Sequence, residues 1–336
     1  MTRLIWTVIL SFAIAVALGP VVIPWLKKMK FGQTIYEKGL ESHKVKQGTP
    51  NMGGIIFAVP MIIVPLIMSY KSPMGSFLPL ALVSTLGFGA IGFVDDYIKV
   101  SKKRSEGLTP MQKTVPMFVL ALALSVWAYF TPSIGSKLVV PFTDIEWNLG
   151  WLYIPVMMFI IIGTVNSANL LDGVDGLLGG CGLIDFATMA IVCMSLAAAG
   201  GTADNNMLNL MIFCGAAAGG ILGFLRFNTH PANVFMGDNG SFAIGGGLIA
   251  VMMATRLSLL LPIIALAMLM SSLSVIIQVG YFKYTKKKTG TGKRIFRMSP
   301  LHHHFEKGGM PETRIVSMYM TVTLILCLIA LTMFAA

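Results

Sequence analysis

Ten runs of apolar residues follow one another along the chain, and no other feature limits its fold as much. A helix rises only 1.5 Å per residue, so it needs about 20 apolar residues to cross the hydrocarbon core of a bilayer. The runs lie near 3–26, 52–70, 76–95, 112–131, 150–170, 178–199, 207–225, 240–256, 258–283 and 314–334. Of the 336 residues, 55% are hydrophobic and 12% charged, which excludes an ordinary water-soluble domain. Lipid offers no partner to an exposed amide, so an all-α polytopic membrane protein is expected, with about ten transmembrane helices in a single domain, 1–336.

Between the eighth and ninth runs only Arg256 and Ser258 mark a break, and Pro262 near the outer end of the long ninth run predicts a tilt or bend. The first run opens like a signal peptide with Arg3, but its apolar core from Leu4 to Leu26 is too long for one and is followed by Lys27, Lys28 and Lys30, so a retained span is expected. Cys181, Cys193, Cys214 and Cys327 all fall inside runs without motif spacing and read as packing residues.

Charge collects on one face. The odd-numbered connections, with Lys283 and Arg314 at their edges, hold 21 of the 25 Lys and Arg residues; Arg3, Lys71, Lys137 and Arg256 are the rest. By the positive-inside rule these connections face the cytoplasm and both termini lie outside. Attraction to anionic membrane lipids explains the lysines. It does not explain the polar clusters among them: "SHKVKQGTPNMGG" (42–54), "VDDYIK" (94–99), "NLLDGVDGLLGG" (169–180), "FNTHPANVFMGDNGS" (227–241) and "SPLHHHFE" (299–306).

Singly, each has a plain reading: Asp95 and Asp96 end a span, Asp172 and Asp175 sit on one side of a helix start, and Asp238 lies in a Gly/Asn-rich turn. Together they crowd five carboxylates at one membrane surface, where each raises the others' pKa unless a cation compensates. Mg²⁺ suits such a set, because it takes one or two carboxylates and completes its shell with water and phosphate oxygens. Lys46, Lys99 and Lys113 nearby suit phosphate groups. Acids for metal and lysines for phosphate indicate phosphoryl transfer, which is mainly positioning and charge neutralisation.

The run His302, His303, His304 suggests zinc, but successive helical residues point about 100° apart and no cysteine is near, so a polar wall for substrate is favoured. "GFGAIG" (87–92) fits a dinucleotide-binding pattern yet lies inside a span, and with "GAAAGGILG" (215–223) it reads as a small-residue packing face. "NGS" (239–241) falls on the expected cytoplasmic side, where it cannot be glycosylated.

Taken in order from about Ser42 to Arg314, "HKVKQGTPNMGG", "DDYIK", "NLLDGVDGL", "PANVFMGDNGS" and "SPLHHHFE" resemble the signatures of the phospho-N-acetylmuramoyl-pentapeptide transferases. The resemblance implies transfer of phospho-N-acetylmuramoyl-pentapeptide from UDP-N-acetylmuramoyl-pentapeptide to undecaprenyl phosphate, giving lipid I and UMP. It also implies Mg²⁺ dependence, a homodimer and a place in the bacterial inner membrane. It makes Asp238 the principal Mg²⁺ ligand, places Asp95 near the lipid phosphate, and has Asp96 and Asp172 hold the metal and diphosphate. Lys46, Lys99 and, more loosely, Lys113 match nucleotide and phosphate sites. Asp175, Asn228 and Phe235 match the nucleoside pocket, with Asn169 supporting it. His302, His303 and His304 match histidines lining the cleft, His303 being counted with Asp95, Asp96 and Asp238 as catalytic. The chain departs from the pattern at Asn51 (threonine expected), Leu171 (threonine) and Asn239 (valine), which touches fine positioning more than reaction class.

Two other readings compete. A sister transferase moving an N-acetylhexosamine phosphate would share the aspartates and differ at "SPLHHHFE". A transporter or flippase would place ionisable groups at mid-membrane in internal repeats. Only Asp185 intrudes there, within reach of the interface, and no repeat is visible.

Overall fold

The computed structural model describes residues 1–29, 48–69, 75–102, 107–199 and 205–334. All ten apolar runs form helix within these limits. In chain order the helices are α1 (Thr2–Lys28), α2 (Ile55–Met68), α3 (Phe77–Ser101), α4 (Pro110–Phe130), α5 (Tyr153–Leu171), α6 (Leu177–Ala199), α7 (Asn205–Asn228), α8 (Gly237–Ala254), the four-residue α9 (Leu261–Ile264), α10 (Leu266–Thr289), the short α11 (Leu301–Glu306) and α12 (Glu312–Leu331). Among the described residues eight, namely α1, α3 to α7, α10 and α12, are long and apolar enough to cross a membrane. The other two expected spans fall short for different reasons. The 14 residues of α2 reach about 21 Å at 1.5 Å per residue, because residues 51–54 form a turn instead of helix. The 18 residues of α8 open with the polar sequence Gly-Asp-Asn-Gly-Ser.

The centre of the bundle is α8, buried from Asn239 to Ala254 on all sides. Three consecutive glycines show how it is enclosed. A Cβ on Gly245 would meet Val165 and Ala168 of α5, one on Gly246 would meet Phe88 and the Ser84 carbonyl of α3, and one on Gly247 would meet Met61 of α2 and Thr85 of α3. Successive helical residues turn by about 100°, so three bare positions in a row let neighbours close in from three directions. Lipid tails are as apolar as leucine, so such contacts gain from close van der Waals packing and interhelical hydrogen bonds more than from leaving water. The Ser84 hydroxyl adds one, donating to Gly246 O at 2.7 Å.

The other small-residue face works the same way. Gly215, Gly219 and Gly223 of α7 lie against Leu4, the Val8 backbone and Ala15 of α1, and Ser11 Oγ donates to Ala216 O at 2.5 Å. The first run is thus a 27-residue helix packed into the bundle. "GFGAIG" also packs helices: Gly87 faces Leu120 of α4, and Gly92 lies against the backbone of Asp238 and Asn239. That second contact brings the end of α3 onto the start of α8.

Two features were not expected. Between α4 and α5, β1 (Lys137–Val139) pairs antiparallel with β2 (Glu146–Asn148), a hairpin joined by a 2.7 Å Lys137–Glu146 ion pair. Arg256 docks on it, accepting at its carbonyl from Val139 N and donating from Nη2 to Ser133 O at 2.8 Å. The ninth run bends as Pro262 predicts, but at Ala265, whose φ of −102° and ψ of 34° separate α9 from α10. Pro262 itself stands in the first turn of α9, where its missing N–H goes unneeded. Beyond the bend α10 carries exposed Leu273, Ile276 and Tyr284 to a left-handed Gly290 cap.

If α8 depends on bare glycine contacts, Gly246→Leu is expected to lower the thermal unfolding midpoint of the purified protein in detergent by several degrees, corresponding to about 1–3 kcal/mol of overpacking. Gly280→Ala on α10, where an added Cβ meets nothing within 4 Å, is expected to leave it unchanged or raise it.

Candidate active site

The last turns of α3 carry Asp95, Asp96 and Lys99. The helix runs on to Ser101, so the two aspartates lie within it and do not cap its end. Both are buried, at 2% and 0% exposure. Consecutive positions point them at different partners: Asp95 Oδ1 accepts from Leu108 N at 2.8 Å, whereas Asp96 Oδ1 accepts from Asn51 Nδ2 at 3.1 Å and Oδ2 from Asn239 N at 3.0 Å. One turn on, Lys99 Nζ lies 2.6 Å from Asp95 Oδ2, 3.5 Å from Asp96 Oδ1 and 3.0 Å from Asp238 Oδ2.

Asp238, in the first turn of α8, completes the group. Lys113 Nζ pairs with its Oδ2 at 2.7 Å while lying 4.6 Å over the Phe242 ring, and Asn169 Nδ2 donates to its Oδ1 at 2.7 Å and to Ser241 Oγ at 3.0 Å. Burial alone would push the Asp238 carboxyl up, but Lys99 and Lys113 outweigh it and hold the group well below the usual carboxylate range. Half-buried Asp172 goes the other way: burial first, then the charges of Asp238, Asp96 and Asp175, keep it well above that range.

Carboxylate oxygens of Asp95, Asp96 and Asp238 all lie within 4.8 Å of one another. Three hard oxygen donors with neither imidazole nor thiolate among them fit Mg²⁺ and not zinc. Two lysines beside them carry the positive charge that a diphosphate needs.

A second group lies apart. Asp175 Oδ2 accepts from Ala232 N at 3.1 Å and sits 3.3 Å from His230 Nδ1, which is 3.7 Å from Glu312 Oε2. Asn228 clamps the surrounding loops, accepting from Gly176 N at 3.1 Å and donating to Val234 O at 3.0 Å. Both ends of its amide are therefore engaged inside the protein. The backbone of Phe235 pairs with the segment before α2, its N–H donating to Pro50 O and its carbonyl accepting from Gly53 N, both at 2.8 Å.

Helical spacing divides the three histidines two and one. His302 is buried at Gly173, with the His303 ring 4.3 Å away. His303 Nδ1 lies 2.9 Å from Glu306 Oε2. His304 turns toward the preceding loop, where its Nδ1 accepts from Arg297 N at 3.0 Å and its ring meets Phe296 edge-on. His302 and His303 thus share the Gly173 side, and His304 does not.

Of the residues expected from sequence, Asp95, Asp96, Asp238, Lys99, Lys113 and Asn169 come together, and Asp172 lies within their field. Lys46 lies outside the described residues. Asp185 is buried, its Oδ1 3.9 Å from Cys327 Sγ. Sequence reasoning missed Asn51, Ser241, His230 and Glu312 as parts of the site. His230 stood inside a quoted motif, but Glu312 lies beyond the last one and carried no signal.

The family described as "Glycosyl transferase family 4" matches residues 78–257. The chain is 43% identical over 329 residues to the "Phospho-N-acetylmuramoyl-pentapeptide-transferase" of Clostridium novyi (strain NT), covering 98% of this chain and 96% of that one. To the protein of that name from Clostridioides difficile (strain 630) it is 42% identical over 330 residues, covering 98% and 97%. To that of Bacillus thuringiensis (strain Al Hakam) it is 44% identical over 322 residues, covering 96% and 94%. Likeness of this degree over nearly the whole length, on a helical membrane bundle, places the chain in the phospho-N-acetylmuramoyl-pentapeptide-transferase family.

Proposed function

We propose that this membrane transferase moves phospho-N-acetylmuramoyl-pentapeptide from UDP-N-acetylmuramoyl-pentapeptide to undecaprenyl phosphate at the cytoplasmic face of the bacterial inner membrane, forming lipid I and UMP. An oxygen of the lipid phosphate bonds to the sugar-bearing phosphorus, and the bond from that phosphorus to the oxygen shared with UMP breaks. The observation that carries the reading is the Asp95, Asp96, Asp238 cluster, bridged by Lys99 and paired at Asp238 with Lys113.

Phosphoryl transfer asks a protein for alignment and for positive charge where negative charge gathers. Lys99 and Lys113, anchored on carboxylates, present ammonium groups to diphosphate oxygens. Asp238, steadied by Asn169, would hold Mg²⁺ with Asp96, and the ion would supply further neutralisation of the diphosphate. Asp95, fixed from the other side by Leu108 N, orients the incoming lipid phosphate. Asp175 and Phe235 belong to the nucleoside side, on loops that Asn228 clamps, and His302 and His303 pack at Gly173, next to Asp172 in the chain. Assembly as a homodimer rests on the family resemblance alone.

Asp238→Ala is expected to keep the fold, judged by thermal unfolding, while UMP release falls by about 10²-fold or more. Full activity would remove Asp238 from the metal assignment. In a substrate comparison, UMP release is expected with the muramoyl-pentapeptide nucleotide and not with UDP-N-acetylglucosamine. The opposite preference would make the chain a sister transferase.

A further inference from the structure

Two residues read from sequence as separate departures, Asn51 and Asn239, meet on one carboxylate. Asn51 Nδ2 donates to Asp96 Oδ1 at 3.1 Å, and the backbone N–H of Asn239 donates to Asp96 Oδ2 at 3.0 Å. The Asn239 side chain reaches back, its Nδ2 lying 3.4 Å from Met52 O. Positions 51 and 239 are thus joined twice, through Asp96 and through the turn that follows Asn51.

That turn is held under constraint. Met52 is buried and has a φ of +69°, a left-handed backbone that a non-glycine residue keeps only where its surroundings dictate it. The surroundings are the backbone pairs Phe235 N to Pro50 O, Gly53 N to Phe235 O and Gly54 N to Met236 O, all at 2.8–2.9 Å. They fix Asn51 opposite Asp96. Gly237 closes the arrangement: a Cβ there would lie 2.6 Å from Asp96 Oδ2, 2.8 Å from Asn51 Oδ1 and 3.1 Å from Asn239 Oδ1. Asp96 itself has no exposure, and its nearest ammonium among the described residues, that of Lys99, is 3.5 Å from Oδ1. Without Asn51 that oxygen loses a directional donor and is free to turn toward Lys99.

We propose that Asn51 is a positioning residue of the transfer site, acting as one unit with Asn239 to fix the Asp96 carboxylate beside Asp238, and so setting how tightly the cluster takes a divalent cation. The inference rests on the reading of that cluster as the metal and diphosphate site. Asn51 acts through the Asp96 carboxylate that its side chain touches.

The test uses purified full-length protein in detergent with Asn51→Ala, Asn51→Thr, Asn239→Val and the double variant Asn51→Thr/Asn239→Val. Thermal unfolding is followed across a Mg²⁺ titration without substrate, and kcat and KM for the muramoyl-pentapeptide nucleotide are measured by UMP release. Asn51→Ala is expected to raise the Mg²⁺ midpoint and lower kcat, each about tenfold, the scale seen when a residue orienting a metal ligand is lost, with KM within twofold. Asn51→Thr, which keeps a hydroxyl donor, is expected to recover part of the loss. The double variant is expected to lose less than the product of the two single losses. A Mg²⁺ midpoint within twofold of wild type in Asn51→Ala overturns the inference, as do losses that multiply in the double variant or a raised KM with unchanged kcat. If Asn51→Ala does not fold, Asn239→Val carries the same test, since it keeps the N–H to Asp96. A wild type with no Mg²⁺ shift overturns the metal reading and this inference together, whereas a wild-type shift that the variants leave in place overturns this inference alone.

Discussion

Lys99 Nζ stands among three carboxylates, 2.6 Å from Asp95, 3.0 Å from Asp238 and 3.5 Å from Asp96. Two of those carboxylates have almost no exposure, and a buried unpaired charge at the end of a membrane helix is not tolerated. The lysine reaches its partners because the helices beneath it pack without side chains between them. Gly92 lets α3 press on the backbone of Asp238, and Gly245, Gly246 and Gly247 let α5, α3 and α2 close around α8. Packing in the core thus sets distances in the site one turn above it.

The same dependence gives each aspartate its own surroundings. Asp95 answers to the 107–109 segment, Asp96 to the turn before α2 and the start of α8, and Asp238 to α4 and α5 through Lys113 and Asn169. Each carboxylate is held by elements far apart in sequence, so a shift in any one of those elements reaches the group that would hold the metal. The Asp175, His230, Glu312 group is built on the same plan, from the turn after α5, the loop after α7 and the start of α12.

Much of this was legible in the chain. Apolar length located all ten helical runs, since membrane thickness leaves few other uses for them, and one-sided charge gathered the aspartates and lysines on one face. Small residues inside spans read correctly as packing faces. What was missed depends on three-dimensional pairing. The β1–β2 hairpin has three-residue strands, too short to show alternation, and Pro262 announced a bend without giving its place at Ala265. Asn51 looked like a neutral departure because its value lies in one hydrogen bond to a residue 45 positions away. Three adjacent histidines suggested a common wall, yet helical geometry sends His304 to the Arg297 loop.

The central claim is that the carboxylates under Lys99 and Lys113 hold the cation that works on the diphosphate. A structure of the protein with Mn²⁺ in place of Mg²⁺ and the UDP-linked substrate, located by manganese anomalous scattering, tests it directly. The account predicts the peak within coordination distance of Asp238, with the diphosphate alongside Lys99 and Lys113. A peak among Asp175, His230 and Glu312, with the diphosphate beside it, would contradict it.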